Sequence, residues 1–541
     1  MTNAPPVPAD PPGSAPQDLR RIRRGVLVTA VLLAGLYLVG LTGRWWPTND
    51  SALYLGLGRS LAAGQGYRFN DAPCTSVAPG LPLALAGLFR IFGEGFRAPN
   101  VLMALSGLAA VAMVYLVIAR TATPLTAWCV SACTGFSYLF YLNAHRVLTD
   151  APFAALFWAA LYAAMRFLRG RGSWAILAAL LAGAGVLVRV PDMILLGLAA
   201  AGLLLDRPPP GGRLRSVAAA AALLLPAAAL AAGLYVLARA SAAETPPYVF
   251  YFLRYLRLEA GKKFLDFGVG LIRLPSVFIE LLTGQKGVVL DQLGALGLLV
   301  AGIGLVRLWR GGHRTAGVLA AGYPLALLIL ASARSVHGRY LLPVQPVLLC
   351  ALFEGTGAIA EWAARKRGSH RPTRAAAVSW CVLSAAILVC NAPRVLRNAF
   401  YYSHLGGGGE YYAVVRDGRY AELIDLAETA RLNTPPAARV GLVGDKMQIL
   451  HFISRRTVVP LEETARAEGW VPENLARQAA SRRDLDLLVF DVSEAKPDWR
   501  NRLKAALNGK ATLRQWPGGA RYLVWQQAGP DAPATRRRQD R

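Results

Sequence analysis

The chain has 541 residues, of which 54% are hydrophobic and only 17% are charged. Together with a mean hydropathy of +0.36, this composition excludes an ordinary soluble protein of this size and indicates a multi-spanning membrane protein. The formal net charge of +27 does not indicate nucleic-acid binding, because the arginines form short clusters between apolar runs and do not line one soluble face.

The N-terminal region predicts the first membrane span. A Pro- and Ala-rich tail precedes the basic sequence RRIRR at 20–24, and the apolar run that follows ends at Trp45 and Trp46. A cleaved signal peptide has a shorter charged leader and a small-residue cleavage site, whereas paired Trp residues are typical of a membrane interface. We therefore predict a cytoplasmic tail over 1–24 and an uncleaved span that leads out of the cytoplasm.

Further apolar runs approach or reach the roughly 20 residues that are needed to cross a bilayer. They lie at 98–119, 124–142, 150–168, 174–189, 191–205, 215–239, 286–308, 314–333, 339–362 and 374–393. The connections that this order places in the cytoplasm are rich in arginine, as in RGRGS and RKRGSHRPTR, in keeping with the positive-inside rule. We predict an α-helical polytopic membrane protein with about eleven transmembrane helices in a membrane domain over 25–394.

Two segments are predicted to lie at the outer membrane surface. The apolar part of 70–97 is too short to span, so 44–97 is expected to form amphipathic helices on that surface. The aromatic and basic segment 240–285 is expected to face lipid headgroups.

The composition changes from about residue 395 onward, where charged residues and short alternating runs replace the long apolar ones. AELIDLAETARL and DWRNRLKAAL predict helices, while ARVGLVG, DLDLLVFDV and ARYLVWQQ predict strands. The GGGG sequence at 406–409 lacks the preceding strand and the Lys of a phosphate-binding loop, which favours a flexible connector. We predict a small extracytoplasmic α/β domain over 395–541 that ends in a disordered tail.

The predicted topology gathers ionisable side chains at the outer ends of the spans. These are Asp50, Tyr54, His145, Arg146, Asp150, Arg334, His337, Arg339 and Tyr340. A carboxylate can accept a proton from a hydroxyl or hold a divalent metal, and arginine and tyrosine can donate hydrogen bonds to a phosphate. Such a set suits group transfer from an anionic, lipid-linked donor. Simpler roles stay open: Asp150 would also suit the dipole of a helix N-terminus, and Asp50 could be a solvated loop residue.

Four motifs resemble the polytopic C-type-fold glycosyltransferases, within them the bacterial branch related to protein O-mannosyltransferases and the lipid A aminoarabinose transferase. They are an Asp in the first outer loop followed by YLGLGRSLAAGQGY, the segment TSVAPGLPL, the acidic residue in RVLTDAPF, and the late HGRYLLPVQP. The resemblance covers about residues 25–360. It implies a polyprenyl-phosphate-sugar donor and an extracytoplasmic lipid, glycan or protein acceptor at a bacterial inner membrane.

The resemblance also assigns residues. It implies that Asp50 is the catalytic carboxylate and that Asp150 assists it, with a divalent metal bound by both as the one cofactor it allows. Arg339 and Tyr340 are placed at the donor phosphate. The further candidates for binding that phosphate are Tyr54, Arg59 and His337. In one departure, Ala78 precedes the Pro of the surface segment, where the aminoarabinose enzyme has Lys.

Two other classes of function compete with a glycosyltransferase. A transporter or lipid flippase should show ionisable residues or helix breaks at mid-membrane, often in two related halves. A non-catalytic assembly protein would use only its outer domain. The gathering of polar residues at the outer span ends, with no clear internal repeat, favours the glycosyltransferase.

Overall fold

The fold is described by a computed structural model. It describes residues 16–206, 212–240, 260–330, 337–400, 418–443 and 447–461, and the short stretches 471, 473–474, 485–491, 502–503, 505–507, 512–515 and 522–526. Arg334, the GGGG sequence, half of the predicted helix DWRNRLKAAL and the predicted C-terminal tail lie outside these residues.

The chain divides into two compact units. The first comprises Met1–Gly43, Cys74–Ala84 and Gly95–Leu405, and the second comprises Arg44–Pro73, Leu85–Glu94 and Gly406–Arg541. The sequence-based division assigned all of 44–97 to the membrane part. In the structure, two stretches of that segment belong to the same unit as the C-terminal residues.

Helices dominate the described part of the chain. In order they are α1 Pro16–Val39, α2 Asn49–Ala62, α3 Gly80–Phe92, α4 Arg97–Ile118, α5 Pro124–Gly135, α6 Tyr138–Asn143, α7 Asp150–Leu168, α8 Trp174–Val188, α9 Met193–Leu205 and α10 Gly212–Ala240. They continue with α11 Ala260–Thr283, α12 Val288–Arg310, α13 Arg314–Leu330, α14 Gln345–Lys366, α15 Pro372–Leu396, α16 Gly418–Asn433 and α17 Met447–Ser454.

The predicted apolar runs coincide with helices of the first unit. Among the described residues, seven helical segments are long and apolar enough to cross a membrane: Arg20–Val39, Arg97–Ile118, Asp150–Leu168, Gly212–Ala240, Val288–Arg310, Gly338–Lys366 and Pro372–Phe400. The helices at 174–188, 190–205 and 314–330 are apolar but shorter. The structure therefore confirms a helical polytopic membrane protein, while the number of about eleven spans stays a prediction.

One predicted span, 124–142, is interrupted in the structure. Helix α5 ends at Gly135, and Ser137 has an extended backbone before α6 begins. The buried Asn391 of α15 compensates for the break, because its Oδ1 accepts the backbone N–H of Tyr138 at 2.7 Å. The Asn391 amide in turn donates to the carbonyl of Leu282, so a single side chain joins α6, α11 and α15. A buried backbone break is tolerated in an apolar environment only when its polar groups are paired in this way.

Helices α12 and α14 approach so closely that their backbones touch at two glycines. A Cβ atom at Gly304 would lie 1.7 Å from the carbonyl oxygen of Ala351, and one at Gly355 would lie 1.9 Å from that of Val300. Small residues allow this packing between apolar helices, where dispersion contacts replace the hydrophobic effect as the main source of association.

The second unit contains a sheet in addition to its helices. The hairpin strands are β1 Arg68–Phe69 and β2 Ala72–Pro73, and the sheet strands are β3 Arg439–Val443, β4 Thr457–Pro460, β5 Leu487–Asp491, β6 Thr512–Gln515 and β7 Tyr522–Gln526. The sheet order is β4-β3-β5-β7-β6, with β3 parallel to β4 and β5, and β7 antiparallel to β5 and β6. The predicted helix AELIDLAETARL and all three predicted strands are at their expected places, whereas α17, β4 and β6 were not predicted.

The β1–β2 hairpin joins this sheet through its turn. Asn70 and Asp71 both have positive φ, as a two-residue hairpin turn requires. The Asn70 side chain accepts the N–H of Val458 at 2.6 Å and donates to its carbonyl at 2.7 Å, so it pairs with β4 as a backbone group would. The backbone N–H of Asn70 also donates to Nε2 of His451, whose Nδ1 lies 2.7 Å from the Arg456 carbonyl.

The glycine contact between α12 and α14 predicts a position-specific effect on stability. Gly355→Ala places a methyl group against a backbone oxygen, and overpacking of this kind costs about 1–3 kcal/mol. We expect a lower thermal unfolding midpoint for the detergent-solubilised protein. Gly302→Ala in α12 is the matched control, because a Cβ there has no atom within 4 Å and the midpoint should not fall. Equal midpoints for the two variants would contradict this packing.

The environment of His451 predicts acid sensitivity of the second unit. Its Nε2 accepts a hydrogen bond from the backbone N–H of Asn70, so a protonated Nε2 would place its own N–H against that donor. Burial lowers the pKa of His451 below its ordinary 6.5. Between the lowered pKa and 6.5 the unfolded state binds more protons, so stability should fall as the pH drops below about 6.5. Nearby Asp71 and Arg59 act on this pKa in opposite directions.

Hydrogen–deuterium exchange at pH 7.5 and pH 5.5 tests the role of His451. Each measured rate is divided by the intrinsic exchange rate at the same pH, because unprotected amides exchange more slowly at the lower pH. We expect lower protection in 447–461 at pH 5.5 than at pH 7.5 for the wild type, and a smaller pH effect for His451→Gln, whose amide can keep both hydrogen bonds without titrating. His370→Gln, at an exposed position, is the control and should behave as the wild type. If the pH effect is as large in His451→Gln as in the wild type, a group other than His451 causes it.

Candidate functional site

The most buried carboxylate of the predicted site is Asp150, the first residue of α7, with a side chain that is 2% exposed. Its Oδ1 accepts a hydrogen bond from Nη1 of Arg189 at 3.0 Å, and its Oδ2 accepts one from Nε of Arg339 at 2.9 Å. A carboxylate can be buried among apolar helices only when it is paired in this manner. Two guanidinium groups from distant parts of the chain therefore meet at one helix N-terminus.

Arg189 connects Asp150 to a second buried carboxylate. It lies where α8 ends, two residues before Pro191, which cannot continue the helical hydrogen bonds. Its Nε is 2.7 Å from Oδ2 of Asp192, a close ion pair whose angle is not that of an aligned hydrogen bond. Asp192 is held from the other side by the hydroxyl of the buried Tyr323, which donates to its Oδ1 at 2.9 Å.

Arg339 and Tyr340 belong to the 3₁₀ segment Gly338–Val344, which leads directly into α14. The segment is fixed to α7 because the indole N–H of Trp158 donates to the carbonyl of Pro343 at 3.1 Å. The Arg189 guanidinium lies 5.7 Å from the Tyr340 ring centre. Arg339 keeps 27% of its side chain exposed, so it lies at the edge of the buried cluster.

His337 precedes this segment and its ring stacks on that of Tyr340, with the ring centres 6.4 Å apart. Burial lowers the pKa of His337, and the positive charge of Lys286 lowers it further. The imidazole is therefore uncharged at neutral pH. Of the seven side chains that the sequence assigned to the site, the structure thus brings together Asp150, His337, Arg339 and Tyr340.

Arg189, Asp192 and Tyr323 are not among the site residues predicted from the sequence. A signal for two of them was present, because RVPD at 189–192 puts an Arg and an Asp between two strongly apolar runs. Ionisable residues inside such a region are expensive and therefore indicate function or pairing. The two apolar runs around Pro191 by themselves predict only short spans. Tyr323 lies within α13 and carries no comparable signal in the sequence.

The other three assigned side chains, Asp50, Tyr54 and Arg59, lie on α2 in the second unit. Thr48 and Ser51 form a capping box that fixes the start of α2, and Asp50 occupies its first turn, partly exposed. Tyr54 is buried, with 7% exposure. Asp50 therefore starts a well-capped helix, and it belongs to a different unit from Asp150.

Arg59 makes strong contacts within the second unit. Its Nε is 2.9 Å from a carboxylate oxygen of Glu94, and its guanidinium stacks 4.3 Å above the ring centre of Phe452. Its Nη1 also donates to the Phe452 carbonyl at 3.2 Å. The charge of Arg59 is thereby balanced by a carboxylate and its flat face is covered by a ring.

His145, also gathered by the predicted topology, is a packing residue. Its ring lies beside those of Tyr37 and Tyr141, and its nitrogens face the carbonyl oxygens of the same two residues at 3.1 and 2.9 Å. These contacts join α1 to α6.

The residues around Asp150 do not suit the divalent metal expected from the sequence. Each of its oxygens already accepts a hydrogen bond from an arginine, so a cation there would lie beside two positive charges. Within the described ranges, no group of three or more His, Cys, Asp or Glu residues is placed to hold a metal ion.

Comparison with known proteins assigns the fold. A family model described as dolichyl-phosphate-mannose-protein mannosyltransferase matches residues 76–236, which include Asp150 and Arg189. ArnT from Cupriavidus metallidurans in the apo state has a TM-score of 0.57 and 15% identity, with 94% of this chain and 100% of that chain covered. The chain has the C-type glycosyltransferase fold.

Two further structures agree with this fold. ArnT bound to undecaprenyl phosphate has a TM-score of 0.57 and 16% identity, with coverage of 93% of this chain and 98% of that chain. The other structure is AglB from Archaeoglobus fulgidus, an archaeal oligosaccharyltransferase in complex with an inhibitory peptide and a dolichol-phosphate. It has a TM-score of 0.58 and 12% identity, with coverage of 96% of this chain and 75% of that chain. A comparison with curated protein sequences finds no significant match. The C-type fold is thus shared at low sequence identity.

The pairing of Arg189 predicts a large and non-additive effect on stability. Arg189→Met leaves Asp150 and Asp192 without their shared cation, and breaking a buried ion pair typically costs about 3–5 kcal/mol. We expect a clear drop in the thermal unfolding midpoint. Arg189→Met/Asp192→Asn should lose less than the sum of the two single changes, because the second removes a charge that the first left unpaired.

Arg365→Met is the control for this series. Arg365 is 64% exposed and lies 3.8 Å from Glu361, and such surface pairs contribute about 0–1 kcal/mol. If Arg365→Met lowers the thermal unfolding midpoint as much as Arg189→Met does, the effect is not specific to the buried ion pairs of Arg189.

Proposed function

We propose that this protein is a glycosyltransferase that moves a sugar from a polyprenyl-phosphate donor to an acceptor on the outer side of the membrane. The observation that carries the proposal is the buried Asp150 carboxylate, which holds Arg189 and Arg339 together at the end of a helix in the C-type fold. ArnT has been observed with undecaprenyl phosphate and AglB with a dolichol-phosphate, which supports a lipid-phosphate donor here.

In this proposal the donor phosphate binds at Arg339. A guanidinium group provides several N–H donors in one plane, and Arg339 uses Nε to bond Asp150 while its side chain remains 27% exposed. Tyr340 and the neutral His337 lie beside it and can donate further hydrogen bonds. Positive charge held in place before the reaction stabilises the lipid phosphate as it leaves, without reorganisation at that moment.

Asp50 is proposed as the general base. The acceptor hydroxyl attacks the anomeric carbon, a new carbon–oxygen bond forms, and the bond between that carbon and the lipid phosphate breaks. Asp50 takes the hydroxyl proton, and the phosphate leaves with the electron pair of the broken bond. Asp50 is suited to this role because it is partly exposed at the first turn of a capped helix.

Asp150 is assigned a different role from the one expected from the sequence. Both of its oxygens accept hydrogen bonds from arginine, so we propose that it positions Arg339 and Arg189 and neither takes a proton nor binds a metal. A metal at Asp50 stays a prediction. Assay with and without a chelator decides it, since a metal-independent enzyme keeps its rate.

The location is proposed to be a bacterial inner membrane, with the N-terminal tail in the cytoplasm and the second unit outside. The arginine-rich connections on one side of the spans support this orientation. A transporter or flippase is less well supported, because the ionisable cluster around Asp150 lies at the ends of helices and the chain has the fold of glycosyltransferases.

The test of the function is transfer of label from a panel of undecaprenyl-phosphate-linked hexoses and pentoses, measured with the purified protein and extracted envelope acceptors. We expect Asp50→Asn to lower the turnover number by about 10²- to 10⁴-fold, as for loss of a general base, with a wild-type unfolding midpoint. Asp291→Asn is the matched control, because Asp291 also lies in the first turn of a helix.

Two results would contradict the proposal. Absence of transfer from every donor by the wild-type protein would argue against a polyprenyl-phosphate glycosyltransferase. Transfer by Asp50→Asn within a few-fold of the wild type, with donor in excess, would show that Asp50 is a solvated helix residue and that the base lies elsewhere.

A further inference from the structure

Helix α2, which carries Asp50, is too short to hold a fixed position on its own. It has 14 residues, and isolated helices of this length are marginal in water. Its buried face includes Ala52, Leu55 and Leu57, which are 0% exposed. The position of Asp50 must therefore come from what α2 packs against, and within the second unit α2 contacts α17 of the C-terminal α/β region.

A single aromatic residue of α17, Phe452, contacts the chain on both sides of Asp50. Its ring lies edge-on to Trp45, with the ring centres 4.8 Å apart, and it also carries the stacked guanidinium of Arg59. Trp45 is completely buried, and its indole N–H donates to the Ser51 hydroxyl at 3.0 Å. Phe452 therefore reaches the residue next to Asp50 through Trp45 and the last turn of α2 through Arg59.

Glu94 and the β1–β2 hairpin complete the attachment. Glu94 binds Arg59 of α2 at 2.9 Å and Arg455, just beyond α17, at 3.0 Å. A Cβ at Gly56 would lie 2.5 Å from the Phe69 ring, so α2 lies directly against the hairpin. The hairpin in turn is paired to β4 by its asparagine side chain. Stacking, ion pairs and paired hydrogen bonds each require a defined distance and orientation, so together these contacts fix the position of α2.

We propose that the C-terminal α/β region positions Asp50 for catalysis, and that Arg59 and Phe452 are the positioning residues through which it does so. This inference rests on the proposed function. It removes Arg59 from the donor-binding candidates, because its guanidinium is bound by Glu94 and covered by Phe452. A general base must be held to within a fraction of an ångström, and a misplacement of about 1 Å can cost about 10²-fold in rate.

The kinetic test separates positioning from donor binding. We expect Arg59→Gln and Phe452→Leu each to lower kcat about tenfold or more while the KM for the undecaprenyl-phosphate sugar stays within about twofold, in keeping with the cost of small displacements. The double variant should lose little beyond either single variant, because both changes break the same contact. Phe452→Tyr keeps the ring and should restore most of kcat.

Arg502→Gln is the matched control. Arg502 pairs with Glu473 at 2.9 Å in the same unit and is half exposed, and neither residue belongs to α2, α17 or the β1–β2 hairpin. It should leave kcat and KM unchanged. A rise in the donor KM of Arg59→Gln with unchanged kcat would overturn the inference and return Arg59 to the phosphate site, and unchanged kinetics for both Arg59→Gln and Phe452→Leu would overturn it as well.

A readout that does not depend on activity distinguishes failure of this inference from failure of the proposed function. Hydrogen–deuterium exchange over 49–62 should quicken in Arg59→Gln and Phe452→Leu and stay at the wild-type rate in Arg502→Gln. Wild-type exchange over α2 in both variants overturns the inference whether or not transfer is observed. Absence of transfer by the wild type, with quickened exchange in these variants, would overturn the catalytic role assigned to Asp50 and leave the attachment of α2 standing.

Discussion

Pairing of the buried Asp150 carboxylate is the constraint on which the first unit depends. A carboxylate at the start of an apolar helix is costly unless its oxygens are bonded, and here two arginines meet that need. One of them follows α8 and the other precedes α14, so the ion pairs join parts of the chain that are far apart in sequence. The same pairs bring two cationic groups together at one place. The stabilising ion pairs and the proposed phosphate site thus share the Arg339 side chain.

The second unit is organised around the ring of Phe452, whereas the first unit is organised around a buried carboxylate. Phe452 lies between Trp45 and Arg59, and residues nearly four hundred positions apart form one cluster. Dispersion and cation–π attraction are weaker than a buried ion pair, but they depend strongly on the orientation of the ring. Such contacts can fix the direction of a short helix. If Asp50 acts as proposed, α17 and the hairpin paired to β4 hold in place the helix that carries it.

Hydropathy and local pattern allowed much of the fold to be predicted. The apolar runs became helices because a buried or lipid-facing backbone must form its own hydrogen bonds. The break after Gly135 could not be predicted, since its polar groups are paired by Asn391, more than 250 residues later. Arg59 illustrates the same limit at the site. In the sequence, Arg59 is a candidate phosphate ligand that follows Asp50 by nine residues. Only the contacts with Glu94 and with the distant Phe452 show that its charge is balanced and that its flat face is covered.

The two carboxylates that the sequence treats as a pair differ in what they can do chemically. Asp150 is 2% exposed and each of its oxygens accepts a hydrogen bond from a guanidinium group, so its negative charge is balanced by two cations that it holds in place. Asp50 is partly exposed at the first turn of α2, where solvent and an acceptor hydroxyl can reach a carboxylate. The first environment suits a group that holds cations in place, and the second suits a group that exchanges a proton. Environment, more than residue type, therefore distinguishes the roles proposed for them.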